Sequence, residues 1–489
     1  MLTTITQLCH AGWISPRVTI GALPDSVLLD IFDFYQEAES RDFYGGREPW
    51  PSQSPWIRLV HICQRWRYLA FASPLHLDLC LQCTSEASVR KTLDFWPPLP
   101  IEIFLDDPHD MDDIIVLLEH HDCVRKIWIL NLTNSQMELL VPTMQELPFP
   151  ALTFLQLETS ESVRVLPDMF LVGSAPCLQT LDLSGIPFPG LPRLLLSATD
   201  ISNLTLQWIP HTGYISPEIM VTGLSALTRL TYLTIGFESP ASRPDRRGRR
   251  PPPLTRVILP ALELLEFQGV SEYLEDLVAR IDAPRLDYLH ISFFNQLIFD
   301  IQQLPHFISH VGILRSSSRA EIIVTNDHIE INLYPPKGTD PPKELNLGIY
   351  CRAVDWQVRS MAQICNQFLF LLSIVEQLNI QVSPFEWVST WQVDMEDTQW
   401  LELFRSFTAV QTLRISDKLL PLIVPALQEL TGERTMEVLP ALVSLCLQKY
   451  QPSESGQQAI EPFFAARQYS DHPVAVYPWE GPREGPRLI

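Results

Sequence analysis

Several things are scarce in this 489-residue chain, and each scarcity removes a class of function. Its nine cysteines are scattered and odd in number, so they supply no disulfide framework. No apolar run approaches the roughly eighteen residues that span a bilayer. The opening Met1-Leu2-Thr3-Thr4-Ile5-Thr6-Gln7 has neither a basic start nor a sustained apolar core, so no secretory leader is expected. A cytoplasmic or nuclear location is the expectation. Positive charge is short: 35 Lys and Arg stand against 57 Asp and Glu, a net charge of -22. That argues against nucleic acid or an anionic membrane as main partner, since both need a cationic surface. No GxGxxG, P-loop, HExxH or nucleophile elbow occurs. The chain is therefore expected to be non-catalytic and to need no cofactor.

Proline is plentiful, at 42 residues. So many breaks mean many short elements, and a chain of this length is too long for one core unless it is a repeat array. A repeat is present: apolar-x-x-apolar-x-apolar. It runs Val124/Ile127/Ile129, Leu152/Leu155/Leu157, Leu178/Leu181/Leu183, Ile201/Leu204/Leu206, Leu230/Leu233/Ile235, Leu262/Leu265/Phe267 and Leu286/Leu289/Ile291. It resumes as Val375/Leu378/Ile380, Val410/Leu413/Ile415 and Leu442/Leu445/Leu447. Successive first positions lie 28, 26, 23, 29, 32 and 24 residues apart, then 89, 35 and 32. Most intervals sit near or just above the leucine-rich-repeat period. The last two apolar residues of each unit alternate with polar ones and so share one side of a short strand. Stacked units merge them into one core. Pro150, Pro176, Pro260, Pro284 and Pro440 each stand two residues before a first apolar position, where a proline ends the preceding segment without disturbing strand pairing.

Helical stripes lie between the strands. Leu274, Leu277, Val278 and Ile281 follow a candidate Ser271 cap; Ser216-Pro217-Glu218 opens a segment running to about Leu227; Met361, Ile364, Cys365, Phe368 and Leu372 form a longer stripe. The alternation predicts an α/β leucine-rich-repeat solenoid over 81–450, with parallel strands on a concave face and helices outside. The 89-residue gap is irregular around 300–350. Within it, Ala320–Thr325 and His328–Leu333 read as a hairpin about Asn326-Asp327, followed by a loop from Pro335 to Pro342. Arg243, Arg246, Arg247, Arg249 and Arg250 make a concentrated basic run in the 240–253 loop, read first as a solvated insertion between repeat units and, as the alternative, as a nuclear-import signal or a contact for an acidic partner. Residues 451–489 form a Pro-rich tail that either dangles or packs on the last repeat.

Other chemistry-bearing clusters have structural readings. Cys80 and Cys83 lack a second pair and fit a strand end better than a metal site. Asp106–Asp113 fits a turn feeding the N-terminus of a helix over Asp113–His120, where carboxylates are favoured. His120-His121-Asp122-Cys123 fits the end of that helix. No metal ligand set emerges.

The N-terminal part, residues 21–80 after an extension over 1–20, is of a different kind. Leu23-Pro24-Asp25 leads into Val27, Leu28, Ile31 and Phe32, one apolar helical stripe; Leu59, Ile62, Cys63, Trp66 and Leu69 repeat that spacing in a second segment, followed by Ser73-Pro74-Leu75. An insert including Gly45-Gly46-Arg47-Glu48-Pro49-Trp50-Pro51 separates them. So small a helical body leaves an apolar face uncovered. Leu-Pro, the Leu/Ile stripe, Ile62-Cys63-Gln64-Arg65-Trp66-Arg67 and Ser-Pro-Leu resemble the F-box. The repeat region is similar in pattern to the leucine-rich-repeat arm of F-box proteins, as in multi-copy fungal families. The resemblance implies a three-helix module docking on a Skp-type adaptor, and through it a cullin, in a ubiquitin ligase. It points to Leu23, Pro24, Leu28, Ile31, Ile62, Cys63 and Trp66 as adaptor-binding residues. An unknown target protein would meet the strand face at residues such as Gln156, Asp182 and His290. Two alternatives stand beside this reading: a leucine-rich-repeat protein-binding scaffold without a ligase link, and a hydrolase on an irregular α/β domain.

Overall fold

The computed structural model describes residues 20–43, 55–74, 76–77, 79–84, 93, 97–106, 111–244, 255–299, 301–311, 317–335, 343–351, 354–383, 398–429, 436–448, 454–469 and 472–479. The expected insert around 45–51, Leu75, the acidic residues 107–110, Arg246–Arg250 and the loop 336–342 lie outside them. The chain forms two compact units divided between Ile129 and Leu130. The expected boundary at 80/81 moves accordingly: the first apolar triplet, Val124/Ile127/Ile129, belongs with the N-terminal unit.

In that unit Pro24 precedes helix α1 (Asp25–Phe43), and its carbonyl accepts the Leu28 N–H at 3.1 Å, closing the first turn. The second apolar segment is not one helix. It breaks at residues 61–63 into α2 (Pro55–Val60) and α3 (Gln64–Ala72), with extended Cys63 as the N-cap of α3. Leu28, Phe32, Trp56, Leu59, Val60, Trp66, Leu69 and Ala70 are buried between the three helices. The rings of Phe32 and Trp66 lie 4.7 Å apart. Arg65 ion-pairs with Asp25 and donates to the Leu23 carbonyl at 2.7 Å, holding α3 to the start of α1. The Trp56 indole donates to the Cys80 carbonyl at 3.0 Å. Strands β1 (Leu81–Thr84), β2 (Ile101–Leu105) and β3 (Val124–Ile129) follow, parallel, with α4 (Met111–Leu118) between the last two.

The second unit opens with α5 (Asn134–Glu146), started by a capping box in which Thr133 and Gln136 satisfy each other's backbone N–H groups. Strand–helix units then repeat: β4 (Phe154–Glu158), β5 (Thr180–Ser184), α6 (Leu191–Ser197), β6 (Asn203–Ile209), α7 (Pro217–Leu224), β7 (Tyr232–Phe237), the short β8 (Val257–Ile258), β9 (Leu264–Gly269), α8 (Ser271–Val278), the short β10 (Ile281–Asp282) and β11 (Tyr288–Phe294). Strands β4, β5, β6, β7, β9 and β11 lie side by side and parallel, while β8 and β10 pair apart. Every member of the triplets in these strands is buried. The prolines have a sharper role than ending a segment. In Phe149-Pro150-Ala151-Leu152 the Leu152 N–H returns to the Phe149 carbonyl at 3.2 Å, and the same turn closes at Ala175/Leu178, Leu259/Leu262, Ala283/Leu286 and Leu439/Leu442. Proline sits at the second turn position, whose φ it pre-sets.

After β11 come α9 (Gln303–Val311), β12 (Arg319–Val324), β13 (His328–Tyr334), β14 (Glu344–Tyr350), α10 (Val354–Cys365), α11 (Leu369–Leu372), β15 (Gln377–Val382), α12 (Thr398–Phe404), β16 (Thr412–Ile415), α13 (Leu420–Gln428), β17 (Ser444–Gln448), α14 (Glu454–Tyr469) and β18 (Ala475–Trp479). The hairpin about Asn326-Asp327 is present, with Ala320 opposite Leu333. A third strand, β14, completes a meander inserted in reverse, in the order β11-β14-β13-β12-β15. Three strands contain two reversals, so β14 runs parallel to β11 and β12 parallel to β15, and repeat polarity survives the insertion.

The helix starts need correction. Ser271 is not a cap: Val270 holds that position, and the Ser271 N–H is bound by Gln296 Oε1 at 2.9 Å. Ile281 lies in β10, not in the helix. Ser216 is the N-cap of α7 but its hydroxyl makes no capping bond. The 361–372 stripe is buried but divided between α10 and α11. Residues 454–469 and 472–479 of the tail fold as one more helix and strand, β18 lying parallel on β17. Buried Arg467 anchors them by donating to the Val438 and Leu439 carbonyls at 2.8 and 2.9 Å. No helix among the described residues is long and apolar enough to cross a membrane.

Candidate functional site

Alternation in the strands sends one set of side chains into the core and leaves the other on an open face. Register fixes how that open set lines up. Gln156 is paired with Asp182, Asp182 with Thr205, Thr205 with Thr234, Thr234 with Glu266, and Glu266 with His290. The three residues expected to meet a target thus stand in a single row across six strands. Asp182 is half-buried, and its carboxyl is pushed up to about 6 by burial and then by the charge of Glu158. The buried Nε2 of His290 has no hydrogen-bond partner among the described residues.

Two depressions flank the C-terminal ends of β4 to β7, both lined by Trp208. The larger, about 390 Å³, runs past Glu158, Glu161, Ser184, Gly185, Pro210 and Glu238. The smaller, about 80 Å³, lies against Gln207, Thr234, Gly236, Glu266 and Gln268. Trp208 is 52% exposed and holds φ +52° at a bulge where the β6–β7 register shifts between Leu206 and Ile209. A bulky residue in that region is rare. Sequence reasoning passed over it, although the signal was there: two residues rather than one separate apolar Leu206 and Ile209, the mark of a bulge. Neither depression is lined by lysine, arginine or histidine. The Glu158 and Glu238 carboxylates make no hydrogen bond or ion pair among the described residues, while Glu161 accepts the Asn134 N–H at 3.1 Å.

The floor of the larger groove is built from backbone hydrogen bonds. Here backbone bonds carry on past the strand ends: Leu132 N–H to Glu158 O, Thr159 N–H to Ser184 O, and Gly185 N–H to Gln207 O. The Thr159 hydroxyl donates to the Leu132 carbonyl at 2.5 Å. Gly185 has φ +73°, and a Cβ there would lie 2.2 Å from the Thr159 carbonyl oxygen, so glycine is required.

No protein-family model matches the chain, and no curated protein matches it. Among solved structures, it is similar to the crystal structure of the leucine-rich repeat-containing protein LegL7 from Legionella pneumophila. The similarity has a TM-score of 0.30 and 12% identity, covering 79% of this chain and 97% of that one.

The residues expected at an adaptor face sort into two groups. Pro24, Ile62 and Cys63 are exposed, and Leu23 and Ile31 are half-buried. Leu28 and Trp66 are buried in the three-helix core, so a direct adaptor contact by either is corrected: their surface is already covered by Phe32 and its neighbours. Exposed apolar side chains absent from the expected set include Ile20, Val27, Phe34 and Tyr68, the last 73% exposed. The Cys83 thiol is pushed up to about 12 by burial and then by Asp113. Among the described residues no group of three or more His, Cys, Asp or Glu side chains has the geometry to hold a metal ion.

Proposed function

We propose that this chain is a substrate-recognition adaptor of a Skp–cullin–F-box type ubiquitin ligase, with the helices docking on a Skp-type adaptor and the repeat array holding a target protein. The observation that carries the reading is the exposed apolar set on the helical part. Val27, Ile62 and Tyr68 are 38%, 59% and 73% exposed on a small body whose core is otherwise filled by Leu28, Phe32 and Trp66. Exposed apolar side chains of this kind suit a contact surface, and they fall on the stretch whose motifs resemble the F-box. Catalysis would lie elsewhere in the assembly. This chain would contribute proximity, raising the target's concentration near the transferring enzyme.

Co-purification from cells with a Skp-type adaptor tests this. The wild-type chain brings the adaptor down; Ile62→Asp together with Tyr68→Asp, both on exposed positions, does not, while the melting temperature is kept. If the wild type recovers no adaptor, the ligase reading is wrong. The second reading, a protein-binding scaffold without a ligase link, is favoured by the polar row on the open face, which needs no adaptor to bind a partner.

A further inference from the structure

We propose that the groove around Trp208 is the seat of an arginine side chain presented by a basic, extended segment of the target protein. The proposal rests only on the repeat array being the target-binding part. Three independent features of the groove meet in this occupant. The first is shape: about 390 Å³ accommodates one long side chain and a little backbone. The second is an aromatic wall, for Trp208 is half exposed at the rim of both depressions. A guanidinium stacks on an indole face more favourably than on any other side chain. The third is charge. Glu158, Glu161 and Glu238 line the groove, and among the described residues no cationic side chain lines it and Glu158 and Glu238 have no side-chain partner. Other carboxylates in or near the strands do have internal partners, such as Glu102 with Lys126, Glu138 with Arg164, Glu263 with Arg285 and Asp287 with Lys343.

A guanidinium matches this set because it offers planar donors to carboxylates and a flat face to the indole at once. The open row beginning at Gln156 and Asp182 continues from the groove and gives the rest of the segment a polar track. A neutral or acidic segment would leave the two glutamates desolvated without a partner.

The test is fluorescence anisotropy on the full chain with a fluorescein-labelled eight-residue arginine–glycine peptide and its citrulline analogue, which keeps shape and loses charge. The arginine peptide should bind with an affinity that falls as salt rises, and the citrulline analogue at least tenfold more weakly. Trp208→Gly, which removes the ring but suits φ +52°, should weaken binding at least tenfold with the melting temperature retained. Glu158→Gln with Glu238→Gln should do the same. Glu344→Gln with Glu376→Gln removes equal charge away from the groove and should change binding less than twofold. Equal binding by Trp208→Gly and the wild type overturns the proposal, as does an equal loss in the Glu344/Glu376 control, which would show diffuse attraction to an acidic protein. Binding seen only after Arg246, Arg247, Arg249 and Arg250 are changed to serine also overturns it, because the chain's own basic run would then be the occupant. The exposed helical substitutions Ile62→Asp and Tyr68→Asp leave peptide binding intact, so loss of the adaptor link and loss of the groove's ligand are read separately.

Discussion

Two stretches of the same open face handle polar groups in opposite ways. Over the meander, the carboxylates and amides satisfy one another. Glu321 accepts from Gln381 at 3.0 Å and from the Tyr334 hydroxyl at 3.1 Å, and Glu330 accepts from Asn332 and Asn346 at 3.0 and 3.1 Å. Over β4 to β7, Glu158 and Glu238 have no such partners among the described residues, and Asp182 is held above its ordinary carboxyl value. The scaffolds differ, since β4 to β7 are parallel strands and β12 to β14 an antiparallel meander, but register continues one open row across both through His290, Asn346 and Asn332. A closed network spends its hydrogen-bonding capacity on rigidity. An open one keeps it for a partner, at some cost to the free protein.

The sharpest way to break this comparison is at the groove floor. Gly185→Val forces a β-branched side chain into φ +73° and against the Thr159 carbonyl. It should cost about 3 kcal/mol or more in thermal unfolding. Next, Glu321→Ala leaves Gln381 and Tyr334 without their acceptor in a site 3% exposed, and should destabilise by about 2–3 kcal/mol. Glu158→Ala should stay within about 0.5 kcal/mol of wild type in the same denaturant titration. Equal effects at the two glutamates would erase the distinction.

Asp182 gives a pH signature. Its folded-state value of about 6 lies above the ordinary 3.8, so between those values the folded chain binds more protons than the unfolded one, and stability falls as pH rises through that window. Asp182→Asn should therefore stabilise by ~1–2 kcal/mol above about pH 6, with the gain closing toward pH 4. A gain that does not vary with pH would mean the carboxyl is not strained by its surroundings. The smallest expected effect is Trp208→Gly: relief of the left-handed backbone offsets lost packing and added chain entropy, leaving stability within about 0.5 kcal/mol. A large loss there would make Trp208 a core residue rather than a rim residue.

Much of this architecture is legible in the chain because its signals are local. The leucine triplets carry strand alternation, the prolines mark turns, and Asn326-Asp327 marks a hairpin. Gln156, Asp182 and His290 could be placed on the open face by alternation alone, and register then puts them in one row. What was hidden depends on long-range pairing. Leu345, Leu347 and Ile349 alternate well, but only their pairing with β11 and β13 makes β14 a meander strand rather than another repeat. Ala475–Trp479 contains a proline and is exposed along nearly all of its length, so its strand character comes from β17 beside it. The division of Leu28 and Trp66 from Ile62 and Cys63 was equally hidden, since a helical stripe does not say which neighbour covers it.

The account turns on the helical part being a docking knob for a Skp-type adaptor. Calorimetric titration of the purified full chain with the purified adaptor tests it most directly. A one-to-one complex that Ile62→Asp with Tyr68→Asp abolishes is the predicted result; no heat of binding to the wild-type chain, or unchanged binding by the double variant, contradicts it.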